Sequence, residues 1–145
     1  MRPRILVVDD QLDAADSLAG LLELCGAKAA VAYGAETGLR LMQLFRPAAA
    51  VIDLRMPGKD GCEALIEARR AEMVHPATLL VCCTGSHDPD DEARCRAAGF
   101  DLFLHKPIEP AELATVVAWA TERMHAIDFM ETPPETGFEV HQRTL

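Results

Sequence analysis

At 145 residues the chain has room for one domain with a sizeable core and is short for two. Half of its residues are hydrophobic and its formal net charge is −9, a balance that speaks against non-specific nucleic-acid binding or attachment to an anionic membrane surface. No apolar stretch approaches the roughly 18 residues of a membrane span, and the short apolar run after "MRPR" is too brief for a signal peptide, so the expected location is the cytoplasm.

The predicted elements alternate between strand and helix. Ile5 to Val8 is a continuous apolar run that suits a strand buried on both faces, and it runs straight into Asp9 and Asp10. Leu18, Leu21, Leu22 and Cys25 follow at helical spacing, closed by Gly26. "AKAAVA" reads as a weak strand; Leu39, Met42 and Phe45 mark a helix ending before Pro47. "AAAVID" is a second buried strand and it too ends on a carboxylate, Asp53. "RMPGKDG" is turn chemistry, leading into a helix from about Cys62 to Met73. "TLLVCC" is the fourth strand, ending at Thr84-Gly85, and a polar helix covers about Asp90 to Ala98 before Gly99. "DLFL" is a short fifth strand ending at His105-Lys106-Pro107. The last helix starts near Pro110 and places Leu113, Val116, Val117, Ala120, Met124 and Ile127 on one face. Beyond about Asp128 the pattern dissolves, so 128–145 is expected to be an acidic, flexible C-terminal tail.

Strands alternating with amphipathic helices imply a parallel sheet covered on both faces, and right-handed crossovers narrow this to a doubly wound α/β fold. The cysteines (Cys25, Cys62, Cys82, Cys83, Cys95) form no CxxC pair, and most lie in apolar segments. They read as small core residues in a reducing compartment, with no ligand spacing that would join them to His87 or His105.

In such sheets ligands bind beyond the carboxyl ends of the strands, where the strand order reverses. Asp9, Asp10, Asp53, Thr84 and Lys106 each stand where a buried strand meets its loop. Taken singly, an Asp-Asp pair is solvated charge near a helix N-terminus, Asp53 a turn residue and Lys106 a surface lysine. In a 2-1-3-4-5 strand order the three carboxylates share one crevice, and such a group needs a cation. Oxygen ligands with open positions suit Mg²⁺.

"LVVDD", "VIDLRMPGKDG", "CCTGS" and "LHKPIEP", in this order and spacing, resemble the receiver domain of response regulators of bacterial two-component systems, of the chemotaxis-regulator type. The resemblance covers about residues 3–126 and implies a flavodoxin-like fold of five parallel strands and five helices, with residues 1–127 as the receiver unit. It implies that Asp53 takes a phosphoryl group from a phosphohistidine on a sensor kinase or histidine phosphotransfer protein. Asp10, Asp53 and the backbone carbonyl of Arg55 would hold Mg²⁺, with Asp9 reaching it directly or through water. Lys106 and Thr84 would contact the phosphoryl oxygens, and Thr84 and Phe103 would form the switch. Phe103 stands where the family often has Tyr; Arg55 and Ser86 stand at positions that tune the life of the phosphate. Gly85 would leave access for the donor histidine. The Lys106-Pro107 peptide is expected to be cis, and Met56-Pro57-Gly58 would shape the turn beside Asp53. The downstream reader is expected to be a protein, or a second copy, on the face of helix 4, strand 5 and helix 5. No nucleic acid or membrane is expected as partner.

Two rivals belong to other classes. A flavin carrier of the same fold needs a phosphate-cradling loop after strand 1, where this chain has "DDQLDAADS". A phosphohydrolase of the Asp-x-Asp type needs a carboxylate two residues past its nucleophile, and Arg55 stands there. Within the receiver reading, a stand-alone regulator is set against a segment of a hybrid kinase; the initial Met favours the first.

Overall fold

The computed structural model describes residues 1–131; most of the expected tail, 132–145, lies outside the described residues. The chain runs β1 (Arg4–Val8), α1 (Leu12–Leu24), β2 (Lys28–Ala32), α2 (Ala35–Phe45), β3 (Ala49–Asp53), α3 (Gly61–Arg70), β4 (Leu79–Thr84), α4 (Pro89–Ala98), β5 (Leu102–His105) and α5 (Pro110–Glu131). All strand pairings are parallel and the order is β2-β1-β3-β4-β5, the doubly wound arrangement that the alternating pattern implied.

Alternate side chains of each strand point to opposite faces, and the strands therefore feed two cores. Ile5, Val7, Val51, Val81 and Cys83 pack with Ala15, Ala19 and Leu22 of α1 and with Leu113, Val116, Ala120, Met124 and Ile127 of α5. On the other face Leu6, Val8, Ala50, Ile52, Leu80 and Cys82 pack with α2, with Cys62, Ala64 and Leu65 of α3, and with Cys95 of α4. β1, β3 and β4 are covered on both sides, which is why they read as continuous apolar runs.

Some details depart from the sequence pattern. The buried stripe of α1 is Ala15, Ala19 and Leu22, with Leu21 and Cys25 exposed. Ala15, Ala19 and Leu22 stand at i, i+4 and i+7, and Leu21 falls to the side of that stripe. α3 stops at Arg70, short of Met73; the chain leaves the helix through Glu72 at φ 55° and Met73 N–H bonds back to the Ala68 carbonyl. α5 continues to Glu131, past the point where the pattern fades. No helix of the described residues is long and apolar enough to cross a membrane.

α4 is the least apolar of the helices. Its N-cap Asp88 accepts a hydrogen bond from Asp90 N–H, Pro89 opens it and Gly99 closes it at φ 112°. The only residues it buries are Asp91 and Cys95.

Candidate functional site

The register places the ends of β1, β3 and β4 level. Val8 stands opposite Ile52 and Asp53 opposite Cys83, so Asp9 and Asp53, each the next residue on, emerge side by side at the rim. Asp9 is buried; its Oδ1 accepts the Gln11 N–H at 3.0 Å and its Oδ2 accepts Lys106 Nζ at 2.9 Å. Lys106 also pairs with Asp53 Oδ1 at 3.2 Å. One oxygen from each of Asp9, Asp10 and Asp53 lies within 4.8 Å of the others.

The backbone around Asp53 is held from two sides. Leu54 N–H bonds to the Cys83 carbonyl at 3.0 Å, and Gly61 N–H to the Leu54 carbonyl at 2.9 Å. Gly61 is required where α3 begins: a Cβ on it would stand 2.7 Å from the Asp53 carbonyl oxygen. Asp60 and Glu63 then fix the start of α3 by a reciprocal capping box, at 2.9 Å in each direction. Gly58, at φ 78°, supplies the turn between Asp53 and the start of α3, and Met56 in the same loop is buried.

Burial raises the Asp53 pKa above the usual carboxylate range, with Asp9 and Asp10 adding to the effect, while Lys106 opposes it. Burial also works against the charge on Lys106, but the hydrogen bond to Asp9 and the carboxylates of Asp53 and Asp9 outweigh it and raise its pKa. The crevice is therefore a set of anions held together by one ammonium group, with more negative than positive charge. Donors that are hard oxygens suit Mg²⁺. Two oxygens bound to one ion at 2.0–2.1 Å are at most about 4.2 Å apart, so the trio needs only a small contraction to share it. The residues fit the ion.

The structure brings Asp9, Asp10, Asp53 and Lys106 together. Thr84 is fully buried at the end of β4, with Oγ1 accepting the Ser86 N–H at 3.1 Å. Lys106 N–H bonds to the Thr84 carbonyl at 2.8 Å and Lys106-Pro107 is cis. Gly85 is exposed beside them. Phe103 is half-buried on β5, its ring edge-on to His105 at 5.2 Å between centroids.

Three features escaped the sequence. The Arg55 side chain does not join the carboxylate trio. It turns to α4 and forks onto Asp91, Nη2 to Oδ1 and Oδ2 at 2.9 and 2.7 Å. Arg94 of α4 in turn bonds Asp60 Oδ2 at 3.0 and 2.9 Å. His87 stacks on His105 with centroids 4.9 Å apart. Asp91 looks in sequence like ordinary first-turn charge, and its partner lies 36 residues away, so no local signal could have announced the pair.

With this geometry in view, comparison with known proteins is direct. Residues 5–118 match the response regulator receiver domain family. Over 113 residues the chain is 34% identical to an uncharacterised 14.6 kDa protein of the sodA1 3′ region of Leptolyngbya boryana, covering 78% of this chain and 86% of that one. It is 36% identical over 115 residues to the transcriptional regulatory protein PrrA of Mycobacterium tuberculosis, covering 79% of this chain. The match spans 48% of PrrA, so the chain aligns with about half of that relative's length. The crystal structure of a CheY-like response regulator receiver domain protein from Methanospirillum hungatei superposes with a TM-score of 0.76 at 26% identity, over 87% of this chain and 99% of that one.

Proposed function

The chain belongs to the response regulator receiver domain family, and from that premise we propose that Asp53 is its phosphoacceptor. A carboxylate oxygen of Asp53 bonds to the phosphorus of a phosphohistidine as the P–N bond breaks. The departing imidazole nitrogen keeps the electron pair and takes up a proton from solvent. The observation that carries this reading is the convergence of Asp9, Asp10 and Asp53 on one crevice with Lys106 already paired to the acceptor.

Phosphoryl transfer depends on positioning and on cations that neutralise the phosphoryl oxygens. Asp10, Asp53 and the Arg55 carbonyl, with Asp9 beside them, would hold Mg²⁺, which when bound supplies that neutralising charge. Lys106 stays protonated and follows the new phosphoryl oxygens. Thr84, one residue past the Asp53–Cys83 register pair, releases the Ser86 amide and turns its hydroxyl toward another oxygen. Phe103 rotates into the space this opens and changes the face of α4, β5 and α5. That face is read by a downstream protein or by a second copy of the chain. The phosphoryl donor is a sensor histidine kinase or a histidine phosphotransfer protein. The chain acts only on its own aspartyl phosphate, so it is a signalling protein of the cytoplasm rather than an enzyme with turnover. Residues 1–127 form the receiver unit.

Incubation with acetyl phosphate tests the assignment. The wild type should gain a base-labile phosphoryl group only when Mg²⁺ is present, and Asp53→Asn should gain none. Equal labelling of Asp53→Asn would overturn it.

A further inference from the structure

α4 buries little apolar surface, yet two Arg–Asp pairs fasten it to the segment that follows Asp53: Arg55 to Asp91 and Arg94 to Asp60. The first pair is the closer to the acceptor along the chain and the more lopsided. The Asp91 side chain is 7% exposed, whereas that of Arg55 is 59% exposed and free to swing. The Ser86 hydroxyl and the Arg55 guanidinium hold the Asp91 carboxyl below the usual carboxylate range. Ser86 thereby joins the loop after Thr84 to the same carboxylate. Three segments meet on one side chain: the acceptor loop, the loop after β4 and the first turn of α4.

We propose that the Arg55–Asp91 pair is a clasp that holds α4 in its resting position, and that the phosphoryl group on Asp53 opens it by drawing Arg55 away. The proposal rests on the phosphoacceptor reading of Asp53 and adds its regulation. At rest the charges acting most strongly on Asp53 are those of Lys106, Asp9 and Asp10; Arg55, two residues along, is committed elsewhere. A phosphoryl group brings a charge of about −2 and three acceptor oxygens, a better match for a guanidinium fork than one carboxylate. Asp91 survives the loss because it keeps Ser86 and stands in the first turn of α4, where the helix dipole favours an anion. Arg55 is thus a positioning residue, acting on α4 through Asp91.

Amide hydrogen exchange at residues 85–99 tests both halves of the claim. In resting protein, Asp91→Asn and Arg55→Gln should each lower protection there several-fold, and the double variant should lower it no further. Raising KCl to 0.5 M should lower protection more in the wild type than in Asp91→Asn, which keeps only the Arg94–Asp60 pair of the two. With beryllofluoride and Mg²⁺ bound, wild type and Asp91→Asn should become equal, since the clasp is then open. Two results would overturn the clasp: resting protection untouched by Asp91→Asn, or a loss of the same size in both states. Should beryllofluoride leave even residues 53–60 of the wild type unchanged, the acceptor reading has failed. That failure is told apart from failure of the clasp, because the resting difference between wild type and Asp91→Asn is then still present.

Discussion

Two helices on opposite faces of the sheet, α5 and α4, are held by different physics. On the α5 side, Leu113, Val116, Ala120, Met124 and Ile127 bury an apolar stripe against Val51, Val81 and Cys83, an attachment that is non-directional and indifferent to salt. On the opposite face, α4 buries only Cys95 and a carboxylate, with Ala98 packed at the edge of the core, and it is tied down further by ion pairs and caps. Apolar burial gives α5 its permanence. Charge gives α4 an attachment that a change of charge can undo, which is what a switch requires.

Four substitutions probe this contrast. Leu113→Ala on α5 should cost roughly 2–4 kcal/mol, the usual loss for a buried leucine, read as a lower urea midpoint for the whole domain. A loss below about 1 kcal/mol would show that α5 is not the firm side. Gly61→Ala places a methyl against the Asp53 carbonyl, and since backbone must move, roughly 1–3 kcal/mol should be lost. Because the struck atom belongs to Asp53, phosphate uptake should slow as well. Stability and labelling both equal to wild type would show that the close approach is not a constraint.

Cys95→Ala removes a sulfur lying 3.1 Å from Cys82 and 3.6 Å from Cys62. At about 25 cal/mol per Å² the loss should be on the order of 1 kcal/mol, with increased hydrogen exchange concentrated in α4. A loss matching that of Leu113→Ala would erase the distinction between the two sides.

The smallest effect has the opposite sign. Burial raises the pKa of folded Asp53, so the folded chain binds that proton more tightly than the unfolded chain does. Stability therefore falls as pH climbs from the unfolded carboxylate value of about 3.9 through the higher folded one, and at neutral pH the charged group is a net burden. Asp53→Asn should therefore raise Tm at pH 7. The gain should fade below about pH 4. A lower Tm in Asp53→Asn would mean that the Lys106 pair outweighs burial.

Much of this could be read from the residues in order. The buried strands announced themselves because both faces are covered, which removes the polar alternation of a half-exposed strand. The polar residues ending those strands marked the site because a parallel doubly wound sheet brings strand ends to one rim. α1 was read less well: an apolar spacing at Leu18, Leu21, Leu22 and Cys25 suggested a face, but the interior went to the stripe of Ala15, Ala19 and Leu22. The end of α3 was misplaced, because termination there depends on the turn at Glu72 rather than on one residue type.

What can be read from the amino-acid order is therefore the alternation of strand and helix, the doubly wound class and the position of Asp9, Asp10, Asp53, Thr84 and Lys106 at the carboxyl ends of the strands. Each depends on periodicity or on position at the end of an apolar run, and those are local properties. The pairings come from the tertiary structure: Lys106 shared between Asp9 and Asp53, Arg55 bound to Asp91 rather than to Asp53, Arg94 closing on Asp60, His87 stacked on His105. A charged side chain on an exposed turn has many possible partners in sequence, and the choice falls to whichever group the crossovers carry within reach of its head.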